Sequence, residues 1–181
     1  MTDLLTVARV LLAHGYSVIP IRTDGSKAPA LPTWKRHTTE RTTEVDLVGW
    51  FGGDDPHDLG VVQSAVSGGA ELTEIEGRAA GRLGDFKAPA DDTGLGDLWT
   101  LVTQGWVEMS PSRGFHFHYR VTGMNVPGNL KLPRGADTLV LAETRGEGGQ
   151  VAVAQSRHHA TGRPWTRLIG GPATAPVLPE L

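Results

Sequence analysis

The sequence contains no cysteine among its 181 residues. This absence excludes disulfide bonds and the common cysteine-based zinc sites, and it is compatible with a reducing compartment such as the cytosol. No run of apolar residues is long enough to span a bilayer, and the first residues lack the basic start of a secretion signal. We therefore expect a cytoplasmic protein that has no membrane partner.

The balance of charged and apolar side chains is that of an ordinary globular protein. Apolar residues make up 39% of the sequence and charged residues 20%, and the length suffices for one domain with a substantial core. Lys and Arg number 17 against 20 Asp and Glu, so the net charge is −3 and gives no support for nucleic-acid binding. Many of the basic residues follow position 110, where they could form a basic face or an ordinary solvated surface.

Apolar periodicity predicts a mixture of helices and strands. Helices are expected at 4–12, 43–51 and 96–104. Strands are expected at 16–21, 59–62, 70–76, 106–109, 115–120, 139–143 and 150–154. Glycine-rich or Ser/Pro-rich turns predict that the last six strands pair as three successive hairpins, while 78–97 should be an irregular excursion. This order indicates an α+β domain with a largely antiparallel sheet.

Two glutamates, Glu74 and Glu76, end the strand predicted at 70–76. Positions i and i+2 of a strand face the same side, so both carboxylates should project together while Ile75 points into the core. Two like charges repel unless a cation lies between them. A third carboxylate, Glu143, would complete a site for a hard divalent metal, which suits chemistry on phosphates. Taken alone, the pair could also form the solvent face of an edge strand.

A second cluster lies between two predicted strands, from Ser112 to His116. Gly114 would allow the backbone to approach a ligand closely. His116 and His118 fall on one face of the following strand. They could bind zinc, or they could be the outward polar residues of a half-buried strand. We favour a phosphate contact by His116 over a zinc pair.

A third cluster follows the predicted strand at 139–143. Arg145 shares a face with Glu143, so it could form a structural salt bridge or bind a phosphate. The glycine-rich turn at 146–149 does not match a phosphate-binding P-loop. Residues 155–159, Gln-Ser-Arg-His-His, add further polar groups after the next strand.

In this order the clusters resemble the N-terminal domain of bifunctional primase-polymerases. This family belongs to the archaeo-eukaryotic primase superfamily of phages, plasmids and mobile elements. The similar segments are Glu-Ile-Glu at 74–76, Ser to His at 112–116, Glu-Thr-Arg-Gly and its turn at 143–149, Gln-Ser-Arg-His at 155–158, and Thr-Gly-Arg-Pro-Trp at 161–165. The opening helix and strand, with Lys27, Pro29 and Trp34, are also similar to the start of the family. The resemblance spans residues 4–167.

The resemblance implies an RRM-like, mainly antiparallel catalytic sheet packed with a small N-terminal α/β part. The catalytic domain would cover residues 1–168, and a Pro/Gly-rich linker or tail would follow at 169–181. Such a domain makes and extends primers on a single-stranded DNA template with NTP or dNTP substrates. Its setting would be the cytoplasm of a bacterial host, in replication of a phage or mobile element, and a helicase domain or protein is a candidate partner.

The resemblance also assigns roles to residues. Glu74, Glu76 and Glu143 would be catalytic and would bind two ions of Mg²⁺ or Mn²⁺. The nucleotide would be contacted by Ser112, Arg113, Gly114, His116, Arg145, Ser156, Arg157 and His158.

One departure from the family pattern concerns the acids. The first motif usually holds aspartates, whereas all three acids here are glutamates. Octahedral Mg²⁺ requires oxygens at about 2.1 Å, so the longer side chains need a compensating backbone position. Two alternatives therefore stay open: a non-catalytic replication module that binds nucleic acid or nucleotide, and a metal-dependent phosphohydrolase or nuclease on the same carboxylates.

Overall fold

A computed structural model describes residues 3–54, 57–132, 139–158 and 161–179. Within these ranges the helices are α1 (Leu4–Ala13), α2 (Glu44–Phe51), α3 (Leu83–Asp92) and α4 (Gly96–Gln104). The strands are β1 (Ser17–Ile21), β2 (Asp58–Val62), β3 (Ala70–Ile75), β4 (Trp106–Met109), β5 (Phe115–Val121), β6 (Leu130–Lys131), β7 (Ala142–Arg145), β8 (Gln150–Ala152), β9 (Arg157–His158), β10 (Arg163–Pro164), β11 (Thr166–Ile169) and β12 (Val177–Leu178). Short 3-10 segments connect several of them.

The largest sheet has seven strands and is mainly antiparallel. Its strands follow the order β11-β4-β5-β3-β7-β6, and β12 pairs with β5 in parallel. A second sheet has the order β1-β2-β8, and β9 and β10 form a two-stranded hairpin. The predicted α+β class with a mainly antiparallel sheet is confirmed. In the described part of the chain, no helix combines the length and apolar character needed to cross a membrane.

The central strands β4, β5 and β3 of the large sheet are covered on both faces, whereas the outer strands β11 and β6 are exposed. On one face, Leu72 and Trp106 share a core with α1, α2 and Val61 of the small sheet. On the other face, Ile75 and Phe117 belong to a core that α3 and α4 help to cover. A polar side chain that faces the small sheet therefore lies inside the protein unless a cavity exposes it.

Side chains cap the N-termini of the first two helices. The side chain of Asp3 accepts hydrogen bonds from Leu5 N and Thr6 N at the start of α1. Thr43 and Asp46 form the reciprocal capping box that opens α2, as the spacing predicts. Both helices pack in the core that the large sheet shares with the small sheet.

The excursion expected at 78–97 is wrong, because this stretch contains α3 and leads directly into α4. Its glycines and alanines suggest irregular structure, but Leu83 and Phe86 pack against the sheet and stabilise the helix. Phe86 also stacks on Trp99 of α4, with ring centroids 6.5 Å apart.

Two of the three predicted hairpins are also wrong. Strands β2 and β3 belong to different sheets, and so do β7 and β8; only β4 and β5 pair as expected. Gly68 and Gly69 both have positive φ, and a side chain on Gly69 would collide with the carbonyl of Val121. These glycines therefore carry the chain from one layer to the other. A glycine-rich turn marks a change of direction without specifying the next strand's partner.

The linker expected at 169–181 differs from the structure over the described residues up to 179. Val177 and Leu178 pair with β5, and Thr174 donates a hydrogen bond from Oγ1 to Gly105 O at 3.1 Å. Pro172 is buried. The many prolines and glycines hide these contacts from sequence reasoning, because each attachment involves only one or two residues.

Candidate functional site

A row of charged and histidine side chains crosses the large sheet at one level. Directly paired residues of neighbouring strands project from the same face. From one edge to the other, the row consists of Arg167, Glu108, His116, Glu74, Glu143 and Lys131. The row faces the small sheet, so it forms a polar seam between the two sheets.

Three carboxylates converge where β3 and β7 meet. Glu74, Glu76 and Glu143 each offer an oxygen, and these oxygens lie within 4.8 Å of one another. Glu76 follows β3 directly, and Ile75 between the two acids is buried, as the alternation predicts. Oxygens bound to one Mg²⁺ at about 2.1 Å lie roughly 3–4 Å apart, so small side-chain rotations would complete a metal site. The donor set therefore fits a divalent cation.

Arg145 neutralises part of this cluster. Its Nη2 atom contacts Glu143 Oε1 directly and lies 3.6 Å from Glu74 Oε2. The salt bridge considered from the sequence is therefore present, and it joins Arg145 to two of the three acids. The side chain of Arg145 is 32% exposed, so the guanidinium can also reach a ligand in front of the sheet.

The surroundings of Glu74 and Glu143 shift the pKa values of these two carboxyl groups in opposite directions. Burial alone would raise the pKa of Glu74, but interaction with His116, Arg145 and Lys27 lowers this pKa to about 2. Burial raises the pKa of Glu143, and the charges of Glu74 and Glu76 add to this effect while Arg145 opposes it. Glu74 is thus a permanent carboxylate, whereas Glu143 holds a proton more readily.

Of the three acids, Glu74 lines a cavity of about 200 Å³ between the two sheets. It is lined by Ser26, Lys27, Glu74, His116, Arg145, Gln150, Val151, Ala152 and Trp165. We call it the carboxylate cavity. Cationic Lys27 and Arg145 face it together with Glu74, so the cavity suits a metal accompanied by a polyanion.

The two histidines of β5 are buried, not outward-facing, because the small sheet and α1 cover this side. His116 Nε2 lies 3.4 Å from Glu74 Oε1, and neither ring nitrogen of His116 has a hydrogen-bond partner among the described residues. His118 instead stacks on Trp106, with ring centroids 4.0 Å apart. The structure thus places His116 at the carboxylate cavity and His118 in the core.

The predicted residues of the β4–β5 turn divide into different roles. Ser112 lines a second cavity of about 130 Å³, whereas Arg113 is exposed and lines neither of these two cavities. A side chain on Gly114 would collide with Ile75 O. The backbone of β3 therefore lies close to Gly114, and a ligand contact at this glycine stays a prediction.

Ser156 does not reach either cavity. It is fully buried, and its hydroxyl donates to Leu59 O at 3.0 Å and accepts from Leu59 N at 2.9 Å. The backbone of Arg157 donates to Asp58 Oδ1 at 3.1 Å. These bonds attach residues 156–157 to β2 and give Ser156 a structural role, and its predicted nucleotide contact stays a prediction. His158 lines the second cavity with Ser112.

His159, the last member of the polar segment at 155–159, lies outside the described residues. Two buried or lining residues had no assigned role in the sequence reading. Glu108 is fully buried, accepts from Trp106 Nε1 at 2.9 Å and from Ala154 N at 2.7 Å, and joins β4 to the end of β8. Lys27 lines both cavities. In the sequence, a glutamate on a strand and a lysine in a loop both look like ordinary solvent-exposed residues. No local pattern therefore predicts the positions of Glu108 and Lys27.

Comparison with known proteins agrees with this arrangement. No curated protein matches the chain. The chain does match the family described as "Bifunctional DNA primase/polymerase, N-terminal" over residues 8–180. This range contains the acid cluster, both cavities and the attached strand β12. The chain belongs to the family of bifunctional DNA primase/polymerase N-terminal domains.

Proposed function

We propose that this domain catalyses template-directed nucleotidyl transfer and both makes and extends primers. The observation that carries the proposal is the cluster of three carboxylates, Glu74, Glu76 and Glu143. One of them, Glu74, lines a cavity together with Arg145 and Lys27. Carboxylates next to cationic side chains suit a metal-bound polyphosphate, because the acids hold the metal and the cations hold the phosphates.

The three acids would hold divalent metal, which we propose to be two ions of Mg²⁺ or Mn²⁺. When bound, such ions would stabilise the charge on the attacking and leaving oxygens. Glu74, with a pKa of about 2, stays ionised at neutral pH and would serve as a constant ligand. Glu143 has the raised pKa of a group that can accept a proton, so it is the better candidate to help deprotonate a 3′-hydroxyl.

Arg145 and His116 would contact the phosphates of the nucleotide. Arg145 pairs with Glu74 and Glu143 in the structure, and a cation on those acids would release the guanidinium toward the cavity. A planar guanidinium can bind phosphate through two parallel hydrogen bonds. His116 contributes ring nitrogens that have no hydrogen-bond partner among the described residues, although Nε2 lies 3.4 Å from Glu74 Oε1.

The remaining predicted contacts divide by location. Ser112 and His158 lie in the second cavity and stay candidates for nucleotide contacts. Arg113 and Arg157 are exposed beside that region, and their nucleotide contacts stay predictions. Single-stranded template DNA, NTP or dNTP substrates, a helicase partner and a role in phage or mobile-element replication are proposed from the family resemblance.

A second candidate function is a non-catalytic module that binds nucleotide or DNA. The ion pairs of Arg145 favour it, because they neutralise the acids without any metal. In such a module the acid cluster would be structural. Binding without incorporation would then be its only activity.

The deciding experiment measures primer synthesis and extension on single-stranded templates with Mg²⁺ or Mn²⁺. Glu76→Ala should lower incorporation by about 10³-fold, because several kcal/mol of transition-state stabilisation would be lost. Glu40→Ala, an exposed glutamate away from the cavity, is the matched control and should retain full activity.

Three outcomes separate the candidate functions. An unchanged rate for Glu76→Ala would reject the metal assignment. Triphosphate binding with no incorporation under either metal would support the non-catalytic module. A time course that shows hydrolysed nucleotide or shortened DNA, without longer products, would identify a phosphohydrolase or nuclease.

A further inference from the structure

Helices α3 and α4 cover the face of the large sheet that lies opposite the carboxylate cavity, and they cover it incompletely. Alternate residues of a strand project from opposite faces, so Phe117 packs toward these helices whereas His116 lines the carboxylate cavity. Both helices lie within the described residues, and neither contains a buried residue. The apolar side chains of this layer are therefore only partly removed from water.

An apolar cleft of about 230 Å³ lies where the two helices meet the sheet. We call it the α3–α4 cleft. Its walls include Leu95, Leu98, Trp99, Val102, Phe117 and Leu178. A cavity of about 150 Å³ is large enough to hold benzene, so the cleft has room for a leucine or an aromatic side chain.

Both hydroxyl groups that line the cleft already have partners. Thr73 Oγ1 lies 3.0 Å from the hydroxyl of Tyr119, which also forms a hydrogen bond with Glu71. A polar ligand such as a nucleobase would lose hydrogen bonds to water and gain few in the cleft, which is unfavourable. An apolar side chain needs no such partner, so the chemistry of the cleft favours one.

The charge of this layer accounts for the negative excess of the whole chain. Residues 83–104 contain four aspartates and one lysine, a net charge of −3 that equals the net charge of the sequence, so acids and bases are equal in number elsewhere. Lys87 pairs with Asp91. Asp92 and Asp97 are exposed and form no ion pair with a described residue. This layer therefore repels nucleic acid and attracts a cationic partner.

We propose that the α3–α4 cleft docks a partner protein through a basic amphipathic helix. An apolar side chain of that helix enters the cleft, and its lysines or arginines face Asp92 and Asp97. Helices commonly bind proteins in this way, with apolar residues in a groove and charged residues at its rim. The docking surface lies on the other face of the sheet from the three carboxylates, so the proposal goes beyond nucleotidyl transfer and does not depend on it.

The probe is a fluorescently labelled synthetic helix of leucine and lysine, with its leucines spaced three and four positions apart to form one apolar face. A second peptide carries glutamate in place of every lysine, and a third carries serine in place of every leucine. Fluorescence anisotropy measures the affinity of each peptide for the unaltered protein and for its variants. The second and third peptides should bind at least about tenfold more weakly than the first.

Two variants change the cleft by opposite means. Leu95→Ser removes an apolar wall residue that is 39% exposed, and Ala90→Leu fills the cleft without deleting a contact. Leu101→Ser is the matched control, because Leu101 also lies on α4, is 50% exposed and does not line the cleft. Each cleft variant should weaken the leucine–lysine peptide by about tenfold, and the control by less than about twofold. Melting temperatures report whether each variant is folded.

The charge of the rim is tested separately. Asp92→Asn combined with Asp97→Asn should weaken the leucine–lysine peptide by about threefold at low salt and much less at high salt. Asp54→Asn, an exposed aspartate outside α3 and α4, should leave the affinity unchanged. Nucleotide incorporation by Leu95→Ser should equal that of the unaltered protein, because the cleft does not include the carboxylate cavity.

Several results would overturn the proposal. The first is no binding of the leucine–lysine peptide by the unaltered protein, or equal binding by that protein and both cleft variants. Equal affinity for the glutamate peptide would show that the acidic rim does not select the partner. Concentration-dependent dimers abolished by Leu95→Ser would identify a second copy of the chain as the occupant, and loss of single-stranded DNA binding in Leu95→Ser would identify nucleic acid.

Discussion

Replacing Arg145 by glutamine would remove the cation that balances two of the three acids. An ion pair at 3.6 Å, the distance from Arg145 Nη2 to Glu74 Oε2, is worth about 4–5 kcal/mol at an effective dielectric constant of 20. The arginine side chain is 32% exposed, so solvent screening reduces this value. We expect Arg145→Gln to lower the free energy of unfolding by about 1–3 kcal/mol. That loss corresponds to a melting temperature roughly 3–10 °C lower.

The assay is thermal unfolding with a chelator and then with Mn²⁺. A cation bound by the acids would replace the lost guanidinium, so Mn²⁺ should raise the melting temperature of Arg145→Gln more than that of the unaltered protein. Arg9→Gln is the control, because Arg9 pairs with Glu44 on the surface and both side chains are about half exposed. Its loss should not exceed about 1 kcal/mol.

A parallel titration with a non-hydrolysable triphosphate separates the two roles of Arg145. If it binds phosphate, affinity should fall with stability; if it is only a salt-bridge partner, stability alone should fall. The reasoning would be refuted by an unchanged melting temperature in chelator together with an unchanged response to Mn²⁺. Such a result would mean that solvent already compensates the acids.

Three further perturbations follow from the same geometry. The incorporation rate with Mn²⁺ should exceed the rate with Mg²⁺, because the longer glutamate side chains suit the stricter geometry of Mg²⁺ poorly. The double variant Glu74→Asp with Glu76→Asp should therefore raise the rate with Mg²⁺ relative to the rate with Mn²⁺. Equal rates with both metals, unaffected by the double change, would contradict this prediction. The pKa of Glu74 is lowered from its ordinary 4.5 to about 2 in the folded protein. Its stabilising contribution is therefore complete above pH 4.5 and is lost as the pH falls toward 2. In urea unfolding, the free energy of unfolding of Glu74→Gln should fall less steeply between these pH values than that of the unaltered protein. Ser156→Ala should cost about 1–3 kcal/mol in chemical unfolding, because it removes both bonds to Leu59, and should leave triphosphate affinity unchanged.

The elements that sequence reasoning predicts well are those fixed by local rules. The alternation around Glu74, Ile75 and Glu76 depends only on strand geometry, and the structure brings these acids together with Glu143. The cap of α2 likewise depends on residues three positions apart, Thr43 and Asp46. Such features need no knowledge of which strands are neighbours.

The sequence does not predict the role of a side chain when that role depends on which strand or sheet packs against it. His118 alternates with aromatic residues and suggests an outward polar position, but the small sheet covers that face and Trp106 stacks on it. Ser156 belongs to a motif that resembles ligand-binding segments, yet β2 lies close enough to use its hydroxyl. Strand order decides these outcomes, and the glycine-rich turn at 68–69 contains no information on strand order.

The strand order also has a consequence for the sequence of folding events. β4 and β5 pair across a short turn, whereas β3 must wait for two partners synthesised later, β5 and β7. Closing the longer loop that joins Glu74 to Glu143 carries the larger entropic cost, so β7 should dock late. If the three acids bind divalent metal as proposed, that affinity would be acquired only after β7 docks, and a kinetic experiment should find metal binding delayed relative to hairpin formation. Metal ions would stabilise the completed domain without accelerating its early collapse.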